Sequence, residues 1–76
     1  MTDKEIPLRR IRNELGETQE RVARRTSLTI GTYRRAEEGN PVKYSTALEI
    51  LQAINGLLAE QGKPKVTLED LGLTLM

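Results

Sequence analysis

Apolar residues in this chain recur every three or four positions and nowhere alternate with period two over more than a few residues. A chain patterned in that way can bury helices and has no sheet to build. Leu8, Ile11 and Leu15 share one helical face, Gly16 follows as a C-terminal cap, and Pro7 suits a first turn. These signals place a first helix at about 4–15, starting between Asp3 and Ile6. Thr18 offers an N-cap, with Glu20 in the first turn, for a second helix at about 18–26 whose inner face is Val22, Ala23 and Thr26. A polar break runs to Thr29, which caps a third helix at about 29–38, stopped by Gly39-Asn40-Pro41. Ser45 caps the longest helix, about 45–61, with Ala47, Leu48, Leu51, Ile54 and Leu58 as its stripe and Gly62-Lys63-Pro64 as its end. Gly56 inside that stripe costs about 1 kcal/mol relative to Ala and weakens its continuity. Thr67 and Asp70 form a capping box for a fifth helix at about 67–71. The expectation is an all-α, compact five-helix domain spanning 1–76.

Composition narrows the chemistry. The 76 residues include two tyrosines and no Phe or Trp, so the core is aliphatic, with Tyr33 its one aromatic and the hydroxyl expected to reach the surface. Leu57, Val66, Leu71, Leu73, Leu75 and Met76 exceed what so small a core uses, and form either a satellite cluster under helix 5 or a dimer surface. Cysteine and histidine are absent. Without them there are no disulfides, no thiolate or imidazole metal ligands and no Cys or His nucleophile or base. Glu37-Glu38 and Glu69-Asp70 are neighbours in sequence, so the carboxylates of each pair diverge and make a poor acid/base couple. No phosphate-cradling glycine loop is present either, and the chain is expected to be no enzyme, with no metal and no cofactor. No apolar run approaches the roughly 18–20 residues of a membrane span, and the first ten residues lack a signal-peptide core, so a cytoplasmic protein without membrane contact is the default expectation.

Charge is distributed unevenly. Residues 1–44 carry ten Lys and Arg against seven acids, residues 45–76 two against four, and all eight arginines fall between Arg9 and Arg35. A basic half of this kind suits a polyanion. The second and third helices are separated by a turn brief enough to force a steep crossing, the geometry of a helix-turn-helix, with small Ala23 where the partner helix comes close. On the wheel of helix 3, Tyr33 and Ala36 point one way, while Ile30, Gly31, Arg34 and Arg35 point the other with Glu38. Paired arginines on a short helix can be a merely solvated face. On a capped helix of this size they can also read guanine edges in a major groove. Arg21, Arg24 and Arg25 read as solvated, with Arg24 or Arg25 able to add long-range attraction to a polyanion.

In these residues the chain resembles the helix-turn-helix regulators of the phage repressor and Cro class, the XRE family. The resemblance covers about Leu8 to Leu58. It is carried by Leu8…Ile11-Arg12…Leu15-Gly16, by Thr18-Gln19-Glu20…Val22-Ala23, by Thr32-Tyr33-Arg34-Arg35-Ala36-Glu37-Glu38-Gly39 and by the stripe Ala47-Leu48…Leu51…Ile54. It implies sequence-specific binding of double-stranded DNA by a small transcriptional regulator, with helix 3 in the major groove and a homodimer on a two-fold site. It further implies base reading by Thr29, Ile30, Gly31 and Arg35, joined by Arg34 because Ile30 and Gly31 offer no side-chain hydrogen bond. Thr18 and Gln19, and in the loop after helix 3 Asn40, Lys43 and Tyr44, would hold phosphates. Arg12 and Glu37 would form a structural salt bridge between helices 1 and 3. The chain departs from the family at Ser27, where Gly is common and where a positive φ would cost energy. A different class of function is an antitoxin-like or other module that binds a protein partner through the acidic C-terminal half.

Overall fold

A computed structural model describes residues 6–76, and all its named elements are helices: α1 Pro7–Leu15, α2 Gln19–Arg24, α3 Ile30–Glu37, α4 Tyr44–Glu60 and α5 Leu68–Leu71. Helix α4 is the axis of the packing. It lies against α1, α2 and α5, while α3 leans chiefly on α2. The core is aliphatic except for Tyr33, and it draws Leu8, Val22, Ile50, Ile54, Leu57 and Leu71 from four of the helices. Among the described residues no helix is long and apolar enough to cross a membrane.

Local signals explain most of the boundaries. Ile6 is extended and Pro7 opens α1, so the helix begins just after the interval expected for its start; the rest of that interval, up to residue 5, lies outside the described residues. Gly16 closes α1 at φ 75°, a left-handed conformation that costs a glycine nothing. Thr18, Thr29 and Thr67 each cap their helix by accepting a backbone N–H, and Thr67 and Asp70 complete the capping box.

Several expectations are corrected. α2 ends at Arg24, and Thr26 lies outside it, with its hydroxyl donating to the Ala23 carbonyl at 2.7 Å. Ser45 does not cap α4. Lys43 is the extended residue before the helix, its carbonyl accepts from Ala47 N–H at 3.0 Å, and no side chain caps that end. The buried stripe of α4 is Ala47, Ile50, Ala53, Ile54, Leu57 and Leu58, with Leu48 and Leu51 only half-buried, because the helix touches neighbours on more than one side. Gly56 does not interrupt α4. A Cβ there would meet Arg25 Nη1 at 3.4 Å, an ordinary contact, so the position has no steric need of glycine.

The surplus apolar residues divide. Leu57 and Leu71 are core, Val66 and Leu73 pack against it, and Leu75 and Met76 are exposed. Most of the excess is therefore cover for α4 rather than a dimer face. Asn55 secures that cover by pairing its side-chain amide with both the N–H and the carbonyl of Val66, at 2.8 and 3.1 Å. Gly72, at φ 69°, is required twice over, since a Cβ there would fall 2.5 Å from Pro7 Cδ. Beyond it the chain returns to the α3–α4 loop, where Val42 and Leu75 form an isolated parallel bridge.

Candidate nucleic-acid interface

A buried polar network joins α1, α2 and α3. The Arg12 guanidinium donates to both oxygens of Glu37, from Nε at 2.5 Å and Nη2 at 3.0 Å, and from Nη1 to the Glu17 carbonyl at 2.9 Å. The pair expected between Arg12 and Glu37 is present and buried. Glu37 also accepts from the Tyr33 hydroxyl at 2.6 Å and from Gln19 Nε2 at 2.9 Å. Tyr33 is therefore core through to its hydroxyl, which stops at Glu37 instead of reaching the surface. A carboxylate taken out of water needs donors for its lone pairs, and four donors from three helices satisfy this one.

Ionisation follows from that arrangement. Burial by itself would raise the Glu37 carboxyl, but hydrogen bonds from Arg12, Tyr33 and Gln19 outweigh it and hold the group below its ordinary value of 4.5. Burial, then the bond to the Glu37 carboxylate, pushes the Tyr33 hydroxyl well above its ordinary 10.0. A depressed carboxyl contributes stability that is present above the unfolded value and lost as pH falls through the folded one. A raised tyrosine contributes stability that is present below the unfolded value and lost as pH rises toward the folded one. The thermal midpoint is expected to be level across neutral pH, to fall below about pH 4.5 and to fall again above about pH 10. Circular dichroism melts across that range check it, and a Glu37→Gln variant should show a shallower acid limb.

Gln19 extends the network to the surface. Its Oε1 accepts from Arg34 Nε at 3.3 Å while its Nε2 holds Glu37, so a residue expected to touch phosphate is engaged at both ends of its amide. Thr18, exposed, is engaged as a cap through its hydroxyl, which accepts from Arg21 N–H at 3.1 Å. Thr29 accepts from Thr32 N–H at 3.1 Å and donates to the Thr32 hydroxyl at 3.0 Å. Ile30 is half-buried and packs against the core, so it does not stand on the open face with the arginines as expected. What α3 and its C-cap expose is Gly31, Thr32, Arg34, Arg35 and Glu38. Thr32, not among the residues expected to contact a ligand, is exposed one turn before Arg35 on the same face, which the helical wheel also places there.

The turn before α3 needs no strain. Among the described residues no non-glycine has positive φ, so Ser27 bears none of the cost expected if it replaced an obligatory glycine. It is held instead from α4: Glu49 accepts from the Ser27 N–H at 2.8 Å and from its hydroxyl at 2.8 and 2.9 Å. Hydrogen bonding from the Ser27 N–H and then its hydroxyl lowers the Glu49 carboxyl.

After α3, Asn40 folds back, its N–H and Nδ2 both donating to the Arg35 carbonyl at 3.1 and 3.3 Å. Lys43 is exposed at the start of α4. Tyr44, expected in the loop, is instead the first residue of α4 and is 60% exposed. Thr32, Arg35, Pro41, Lys43 and Met76 border a concavity of about 310 Å³ between α3 and this loop.

The arginines sort into two groups. Arg12, Arg21, Arg24 and Arg25 each have a carboxylate within 4.0 Å, namely Glu37, Glu17, Glu20 and Glu60. No such partner among the described residues accompanies Arg34, Arg35 or Lys43, nor Arg9 and Arg10 on α1. Three uncompensated cations thus share α3 and the loop that follows it. No family model, curated protein or solved structure matches this chain.

Proposed function

We propose that the chain is a sequence-specific double-stranded DNA-binding domain of a small transcriptional regulator, with α2 and α3 acting as a helix-turn-helix of the XRE kind. The single observation that carries the reading is the group of cations without a carboxylate partner among the described residues, Arg34, Arg35 and Lys43, on α3 and its following loop, while Arg21 and Arg24 of α2 and Arg25 just after it are each matched by an acid. Cations left unpaired on one capped helix are available to phosphates and base edges. A rigid base supports them: α3 is tied to α1 through Glu37 and Arg12, and Arg34 to α2 through Gln19.

In this reading α3 enters the major groove. Arg35 and Arg34 reach base edges, Gly31 permits close approach, and Thr29 and Thr32 border the contact. Thr18, at the start of α2, and Asn40, Lys43 and Tyr44 hold the backbone. One domain makes few base contacts, so the functional unit is a homodimer on a two-fold site with half-site centres about 34 Å apart.

Selection of binding sites from random duplex DNA tests the reading. An enriched two-fold symmetric motif is expected; no enrichment, with capture of a protein partner regardless of DNA, would favour a protein-interaction module instead. Salt supplies a second expected result. With about three to five phosphates neutralised per monomer, log K should fall with log[salt] at a slope of roughly −3 to −5. A fluorescence-anisotropy titration at several salt concentrations reads it, and a slope near zero would remove the electrostatic part of the proposal.

A further inference from the structure

Val42 is the one buried residue between α3 and α4, and its backbone is paired in both directions. Its N–H donates to the Thr74 carbonyl and its carbonyl accepts from the Met76 N–H, each at 2.9 Å. The two segments joined here, 40–43 and 74–76, lie outside every helix. Pro41 has no N–H to donate, so the bonds at Val42 are the main-chain tether of the loop center. On one side of Val42 stands Asn40, on the other Lys43, and Met76 with Pro41 walls the concavities that also receive Arg35.

We infer that residues 74–76 are a positioning clamp that holds Asn40 and Lys43 in register with Arg35 for the duplex. The inference rests on the DNA-binding reading. Thr74, Leu75 and Met76 are exposed, Met76 at 79%, so the segment shields little apolar surface and contributes little to the core. What it supplies is order. A loop whose main chain is already held loses less conformational freedom when its side chains engage phosphates. Released from the clamp, the loop bears that cost at the moment of binding, and its contacts are with the backbone, so the loss is blind to sequence.

Met76→Pro tests this, because proline deletes the N–H that donates to Val42 while tolerating the extended backbone before it. Met76→Ala keeps the N–H and is the control; deletion of residues 74–76 removes the whole clamp. For Met76→Pro, affinity is expected to fall about three- to tenfold, equally on a selected site and a scrambled duplex, with the salt slope unchanged because the same phosphates are still neutralised. The deletion should show the same pattern more strongly, and Met76→Ala should bind as the native chain does. Exchange of the Val42 amide should accelerate in Met76→Pro while that of Ile50 and Ile54 in α4 does not. That outcome separates a loosened loop from a loosened fold.

Unchanged affinity in the proline and deletion variants, with native binding intact, would overturn the clamp and leave the DNA reading standing. Tighter binding would overturn it too, since the segment would then be covering the interface. A native chain that binds no duplex would bring down both.

Discussion

Replacing Arg12 with Ala is expected to destabilise the protein by about 3 kcal/mol, a large part of what a domain of this size possesses. The native guanidinium forms a two-pronged bond to Glu37 and a third bond to the Glu17 carbonyl. Its removal leaves the Glu37 carboxylate in the interior with only Tyr33 and Gln19, both neutral. The loss comes from the stranded charge, not from the intrinsic worth of the ion pair, since a buried pair roughly balances its own desolvation. Lys at position 12 should recover only part of the stability, because an ammonium cannot present two parallel donors to a carboxylate. Arg24 is the internal comparison. Its pair with Glu20 is 3.6 Å long, with side chains 76% and 68% exposed. Arg24→Ala should therefore change stability by no more than about 0.5 kcal/mol. Urea denaturation of the variants decides the matter, and equal midpoints for the two alanine replacements would mean that the network contributes far less than its geometry implies.

The second large effect concerns binding. Arg35 is exposed on α3, without a carboxylate partner among the described residues, beside Thr32 and across the concavity from Lys43. If it reaches a base edge, Arg35→Ala should cost about 1–3 kcal/mol on the preferred site and much less on unrelated DNA, relaxing preference at one position. Lys43 stands at the start of α4, and its proposed contact is with phosphate. Lys43→Ala should weaken all duplexes by similar factors and lower the salt slope by about one. Both proteins are measured on a selected and a scrambled duplex. A reversal, with Lys43 altering specificity and Arg35 acting uniformly, would mean that α3 does not dock as proposed. Arg34 provides a graded comparison. Its bond to Gln19 restrains it, so Gln19→Ala should blur any preference that depends on Arg34.

Much of the architecture was legible in the residues because its causes are local. Threonine caps at 18, 29 and 67 each accept from the amide three residues on, and Gly16, Gly39, Gly62 and Gly72 adopt the left-handed backbone where their helices end. Helical spacing in α1 placed Leu8 and Leu15 inward. The Arg12–Glu37 pair came from the resemblance, since nothing local links residues so far apart in sequence. Arg34 and Arg35 were legible as exposed because Tyr33 and Ala36 claim the opposite side of a short helix.

Other features depend on where distant segments meet. Ser45 looked the better cap, yet the helix starts a residue earlier, where Lys43 is extended next to the paired Val42. Ile30 seemed exposed on the wheel, but it packs against the core. Tyr33 was expected to reach solvent with its hydroxyl, and the Glu37 carboxylate intercepts it. Five helices, the threonine caps of three of them and an arginine-bearing third helix could be read from the residues alone, because hydrogen bonds within a turn and apolar periodicity act over a few residues. Only the tertiary structure decided which arginines are neutralised, that Gln19 links Glu37 to Arg34, and that residues 74–76 close on Val42. Those depend on contacts between residues distant along the chain, whose distances exist only once α4 has gathered α1, α2 and α5 around it.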